Sequence, residues 1–228
     1  MYGLLVFDLD GTLIDSALDL ALSVNAVRTH FDLEDLPHER IYSFVGDGAA
    51  MLIRRALEPS GCSDDQIDEG LEFFLRYYDE HMLDNTRLYP GVGESLEAWQ
   101  EDGYQMAVLT NKPVVFSREI IAGLGLSDVF FEVLGGNSFD TKKPDPEGLQ
   151  HLMVEAGVPP AATLMIGDSS VDVLTARNAK AVSAGVTYGL RPESFEKYPP
   201  DILADSMPLL LEHTRELVAE RNEVLEQD

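Results

Sequence analysis

The chain has 228 residues, room for one large domain or for a core carrying a modest insertion. Hydrophobic residues make up 45% and charged residues 25%, and no apolar run approaches the ~20 residues that cross a bilayer, so a membrane protein is not expected. A formal net charge of −25 and a pI near 4.3 argue against nucleic acid or anionic lipid as a partner. The acidity reads as a solvated surface or as adaptation to high salt, and melting temperature against salt concentration separates the two.

Taken in chain order, the first predicted element is a buried strand, Leu4-Leu5-Val6-Phe7, running straight into Asp8. The N-terminus lacks a basic region and is soon acidic, which argues against a signal peptide. Residues 16–86 then show helical periodicity and hardly any strand signal. Leu18, Leu22, Val24 and Val27 suit one helix, Met51, Leu52, Ile53 and Leu57 a second, and Leu71, Phe74, Leu75 and Tyr78 a third. Pro90-Gly91 marks a return to a different pattern. Beyond it, apolar runs at 105–109, 131–134, 163–166 and 184–187 alternate with helical stretches at 94–101, 115–124, 146–156 and 171–179. Residues 212–228 read as a solvated terminal helix.

This order predicts an α/β fold: a Rossmann-like parallel sheet core with helices on both faces, built from residues 1–15 and 88–228, plus an inserted α-helical cap domain at 16–87. The single cysteine, Cys62, rules out an internal disulfide and suits a reducing, cytoplasmic setting. The five histidines are scattered without ligand spacing and read as surface or core residues.

In such sheets ligands bind beyond the carboxyl ends of the strands. Three apolar runs end in polar residues able to act together: Asp8 with Asp10, Thr110 with Asn111, and Asp168 with Asp172, while Lys143 lies in the loop before a helix. Clustered carboxylates need a cation, and hard oxygen donors without His or Cys favour Mg2+ shared with a substrate phosphate. Mg2+ and Lys143 would neutralise a phosphate monoester so that Asp8 could attack phosphorus, with Asp10 serving the leaving oxygen and then the attacking water. Thr110 and Asn111 could donate to the remaining phosphoryl oxygens. For Asp8 and Asp10 the plainer alternative is a turn in which they cap the backbone, and Asp172 would also suit a helix first turn.

Residues 7–16, Phe-Asp-Leu-Asp-Gly-Thr-Leu-Ile-Asp-Ser, resemble the first motif of haloacid dehalogenase superfamily phosphatases. Leu109-Thr110-Asn111-Lys112 is similar to the second motif, Lys143-Pro144 to the third, and Gly167-Asp168-Ser169-Ser170-Val171-Asp172 to the fourth, in the family's order. The resemblance implies Asp8 as nucleophile, Asp10 as acid/base and, through its carbonyl, metal ligand, Asp168 as the other carboxylate ligand, and Asp172 supporting Lys143. It places Asp15 and Ser16 at the entry to the cap. Asp10 separates the chain from the true dehalogenases, which lack it.

Phe44-Val45-Gly46-Asp47-Gly48, the stretch from Tyr77 to Gly91, and Tyr188-Gly189-Leu190-Arg191-Pro192 resemble the phosphoglycolate phosphatase branch. Gly46 and Gly48 would let a cap loop approach the substrate and offer backbone N–H groups to its carboxylate, although a plain turn would also need them. Arg54, Arg55 or Arg87 could add charge, while Tyr77, Tyr78 and Trp99 read as packing. A small phosphorylated metabolite is the expected partner of a monomer or homodimer. The rivals are a sugar-phosphate phosphatase or phosphomutase, a pyrophosphatase, and a non-enzymatic phosphate-binding regulator.

Overall fold

The computed structural model describes residues 3–225, with side chains described through residue 216. Strand β1 (Leu4–Phe7) leads into a short β2 (Ile14–Asp15). Four helices follow: α1 (Ala17–His30), α2 (His38–Tyr42), α3 (Ala49–Leu57) and α4 (Asp64–His81). Then come β3 (Arg87–Leu88), α5 (Val92–Glu101), β4 (Gln105–Leu109), α6 (Val114–Gly123), β5 (Glu132–Leu134) and α7 (Glu147–Ala156). The last elements are β6 (Thr163–Gly167), α8 (Ser170–Ala179), β7 (Val182–Val186), β8 (Ile202–Ala204) and α9 (Met207–Leu225).

The main sheet is six-stranded and parallel, in the order β5-β4-β1-β6-β7-β8. β1 is wholly buried because both sheet faces are covered, which is why its sequence is continuously apolar. Its residues still alternate by face. Leu5 and Phe7 pack in a cluster with Val92, Leu96 and Trp99 of α5 and Ile120 of α6. Leu4 and Val6 face the opposite cluster, with Leu149 and Leu152 of α7 and Ala176 of α8. A separate antiparallel pair, β2 with β3, joins the two chain segments on either side of the four helices.

Several expectations change. The buried stripe of α1 is Leu20, Ala21, Val24 and Val27, whereas Leu18 and Leu22 are exposed. Asp19 is the reason for the offset: it is buried, and its carboxylate accepts bonds from the backbone N–H groups of Asn85 and Thr86, the Asn85 amide and the Thr86 hydroxyl. β8, too short to stand out in the sequence, extends the sheet by one strand. The terminal helix begins at Met207 rather than at 212 and is docked at its start: Met207 and Leu210 are fully buried, and Trp99 Nε1 donates to Thr214 Oγ1 at 2.9 Å. Of the expected helical stretch 212–228, residues 226–228 lie outside the described residues.

Candidate active site

The parallel register sets Phe7 opposite both Val108 and Ile166. Asp8, Thr110 and Asp168 therefore emerge side by side at the carboxyl ends of three neighbouring strands. Asp8 N donates to Ile166 O and Thr110 N to Leu134 O, so the backbone just beyond β1 and β4 is still tied to the sheet. Lys143, from the loop between β5 and α7, reaches Asp8 Oδ1 at 2.9 Å and Asp172 Oδ1 at 2.7 Å. Asp8, Thr110, Asn111, Lys143, Asp168 and Asp172 are all buried.

Carboxylate oxygens of Asp8, Asp168 and Asp172 come within 4.8 Å of one another. Burial, and then the charges of Asp172 and Asp8, push the Asp168 carboxyl up to about 8. Burial also raises Asp8 to about 6, with Lys143 pulling it down and Asp172 pushing it up. For Lys143 burial disfavours the charge, but Asp172 and Asp8 outweigh it and raise its pKa. The cluster thus carries more negative charge than one lysine balances, in an all-oxygen donor set that fits a hard divalent cation. Asp172 is the least available ligand, because its Oδ2 already accepts from Ser169 N and Oγ and its Oδ1 from Lys143. Asp168 is held through Oδ2 by the N–H groups of Leu190 and Arg191, at 2.6 and 3.3 Å. This close fit requires glycine at 11 and 189. A Cβ on Gly11, whose φ is +82°, or on Gly189 would come within 2.2 Å of Asp168 side-chain atoms.

Asp10 lies beside Asp8 and is held by Ser16 Oγ and by Lys112 Nζ, which sits 3.0 and 3.1 Å from its two oxygens. Lys112 also donates to Tyr78 OH at 2.8 Å and lies over the Tyr78 ring. Neither Lys112 nor Tyr78 was assigned to the site from sequence. The Lys112 signal was its place directly after Thr110-Asn111, and Tyr78 was read as packing. It does pack, against Phe74 and Phe116, but its hydroxyl end lines the site. Tyr77 stacks on Phe73 and lies tilted against His81, and it does not line the cavity.

The loop of residues 45–48 forms the roof. Gly46, Gly48 and Ala49, at the start of α3, line a cavity of about 40 Å3 with Asp8, Asp10, Thr110 and Lys112 below and Leu20, Leu52, Phe74 and Phe116 as walls. Toward the core this loop presents carbonyls. Val45 O accepts from Arg191, Gly46 O from Asn111 Nδ2, and Asp47 O from Lys142 Nζ. Asn111 Nδ2 also donates to Lys143 O, so its amide is committed to the loop and to Lys143 rather than free for a substrate oxygen. Turning the amide over would set its carbonyl against two carbonyls, so its buried Oδ1 is left without a partner. The Thr110 hydroxyl accepts from Lys112 N and keeps its own hydrogen.

None of the three arginines suggested by the sequence lines the cavity. Arg54 pairs with Asp64, Arg55 with Asp47 and Phe44 O, and Arg87 is exposed.

The haloacid dehalogenase-like hydrolase family model matches residues 5–186. The chain belongs to that family. Proteins named phosphoglycolate phosphatase from Haemophilus influenzae and Vibrio parahaemolyticus are each 40% identical to it, over 82% and 92% of this chain and 87% and 94% of their own. A crystal structure of a predicted phosphoglycolate phosphatase from Haemophilus somnus superimposes with a TM-score of 0.89 at 34% identity, covering 93% of this chain and 98% of that one. As a member of this family with such relatives, the chain is a phosphoric monoester hydrolase. Among the described residues, no helix is long and apolar enough to cross a membrane.

Proposed function

We propose that this hydrolase cleaves 2-phosphoglycolate to glycolate and phosphate, with Mg2+ as cofactor and residues 16–87 acting as a cap over the site. The observation that carries the reading is the roofed cavity itself. Asp8, Asp10 and Thr110 face a small space of about 40 Å3 beneath the roof, which favours a compact phosphate ester over a bulky one. Lys112 is the one cation among the residues lining it, and its ammonium is paired with Asp10. The names of the relatives point to the same substrate.

The Asp8 carboxylate attacks phosphorus as the bond to the ester oxygen breaks, and Asp10 gives that oxygen its proton. Asp10 then takes a proton from water, whose oxygen attacks the aspartyl-phosphate, releasing phosphate and restoring Asp8. Lys143 offsets negative charge beside Asp8, and Asp172 holds Lys143 in place. The Thr110 hydroxyl donates to a phosphoryl oxygen, and Asn111 positions the roof. The Asp8 and Asp168 carboxylates with the Asp10 carbonyl would hold Mg2+, which supplies further charge neutralisation for the phosphoryl group. The closed roof excludes water that would compete during the first step.

Phosphate release across phosphoglycolate, sugar phosphates, pyrophosphate and a nucleotide, with and without Mg2+, tests the proposal, with Asp8→Asn as control. Phosphoglycolate should lead, and activity should vanish without metal or Asp8. A sugar phosphate in the lead would overturn the substrate, and turnover surviving Asp8→Asn would overturn the mechanism.

A further inference from the structure

One corner of the cavity is more elaborate than proton transfer at Asp10 requires. Lys112 has three ammonium hydrogens, and three acceptors surround it: both Asp10 oxygens and Tyr78 OH. A protonated lysine only donates, so the Tyr78 oxygen accepts from it and the phenolic hydrogen must point elsewhere. Among the described residues nothing accepts that hydrogen. Tyr78 is 1% exposed, and its ring is fixed by Phe74, stacked at 5.4 Å, and by the edge contact with Phe116 at 5.5 Å. A rigid O–H donor without an acceptor, polarised by a buried ammonium, therefore borders a cavity whose remaining walls are mostly apolar.

We infer that the Tyr78 hydroxyl, backed by Lys112, binds the carboxylate of the substrate's leaving group and makes the enzyme selective for phosphate esters of small 2-hydroxy acids. This rests on the reading of the substrate given above and assigns its acid end to named atoms. The phosphate sits over Asp8, the ester oxygen beside Asp10, and the carboxylate beyond it at Tyr78. The corner suits an anion for three reasons. The O–H has no competing acceptor, the accepted bond from Lys112 makes it a stronger donor, and the fixed ring keeps it aimed from one place. Esters ending in an alcohol gain less there, because a neutral acceptor forms a weaker bond than a carboxylate.

Tyr78→Phe tests this while keeping the ring and its packing. The reading is kcat/KM for phosphoglycolate divided by kcat/KM for 2-hydroxyethyl phosphate, its counterpart with an alcohol in place of the carboxylate, with 2-phospholactate as a second acid. Wild type should favour the acids, and Tyr78→Phe should reduce that preference roughly tenfold or more, chiefly through KM. An unchanged ratio in Tyr78→Phe, with or without a general loss of rate, overturns the inference and leaves the substrate reading standing. A wild type that prefers neither acid overturns both. An unaltered melting temperature in Tyr78→Phe confirms that the comparison is between equally folded proteins.

Discussion

Replacing Asp19 with alanine should destabilise the protein severely, although Asp19 touches none of the residues assigned to catalysis. Its side chain is 2% exposed and accepts five hydrogen-bond contacts from Asn85 and Thr86, between 2.8 and 3.1 Å. These close the four-helix segment where its chain returns toward β3. Asn85 is only partly buried, so water can reach its amide once the carboxylate is gone. Thr86 is 4% exposed, and its N–H and hydroxyl would both be left without acceptors. Two orphaned buried donors at ~1–3 kcal/mol each give a loss of about 2–6 kcal/mol. At ~2–4 °C per kcal/mol for a chain of this size, the melting temperature should fall by roughly 4–24 °C. Asp19→Asn keeps one acceptor oxygen and should cost about half as much. Urea unfolding of wild type, both variants and the exposed control Asp79→Ala measures this. A loss below about 1 kcal/mol for Asp19→Ala would refute the reasoning, because it would mean water replaces the carboxylate freely in the stem.

Three further outcomes follow from the same geometry. Arg191→Ala removes the donor to Val45 O and the ion pair with Asp47 but keeps the backbone N–H that holds Asp168, so KM should rise about three- to tenfold. The Mg2+ concentration for half activation should stay within about twofold, and a large change in it would contradict the separation of the two roles. Gly11→Ala drives a Cβ into Asp168 Oδ2 at a positive φ and should lower kcat/KM by about 100-fold or more; near-normal activity would show that the Asp168 contact is not needed. Asp201, whose carboxylate accepts from Ser183 N and Oγ, has its pKa lowered chiefly by those bonds. Its contribution is therefore complete above the unfolded carboxylate range near ~3.9 and is lost as pH falls through the lower folded value. The stability gap between wild type and Asp201→Ala, about 1 kcal/mol at pH 6, should narrow by pH 3 in urea titrations; a constant gap would refute the assignment.

The core of the site was legible because parallel strands buried on both faces are written as unbroken apolar runs. The residues that end those runs, Asp8, Thr110 and Asp168, must then sit at one edge of the sheet. Lys143 was found through its motif, since nothing in a Lys-Lys doublet tells which lysine turns inward. Lys112 was not assigned a role, because a lysine after Asn111 reads as solvated until a partner for its charge is known, and that partner is 102 residues away at Asp10. Asp19 was hidden in the same manner: a first-turn aspartate is ordinary, and its partners lie 66 and 67 residues on. The exposure of Leu18 and Leu22, expected on the inward face of α1, has another cause. The helix is apolar on most of its circumference, so periodicity alone cannot orient it. β8 escaped because it has three residues and follows Pro199-Pro200-Asp201, a sequence that reads as a turn.

The glycine loop was noticed for its conformational freedom, yet its significance lies in what holds it. Val45, Gly46 and Asp47 offer three successive carbonyls, and each is taken by a different core loop. Every donor residue is adjacent to, or itself holds, part of the cluster of carboxylates and lysine. Asn111 follows Thr110 and also binds Lys143 O; Lys142 precedes Lys143; Arg191 fixes Asp168 through its own N–H. The roof therefore closes on the loops that carry the carboxylates and the lysine, so displacement of any of those loops is felt at the roof. Bonds at this partly solvated seam contribute about 1 kcal/mol each, and three of them favour closure by about 3 kcal/mol, or roughly 100 to 1. That is enough to exclude water during phosphoryl transfer. It is also small enough for the roof to open and release products on the timescale of ordinary lid motions. Stronger anchoring would slow product release, whereas weaker anchoring would leave the proposed aspartyl-phosphate step open to solvent. The marginal strength of the seam is thus what the reaction requires of it.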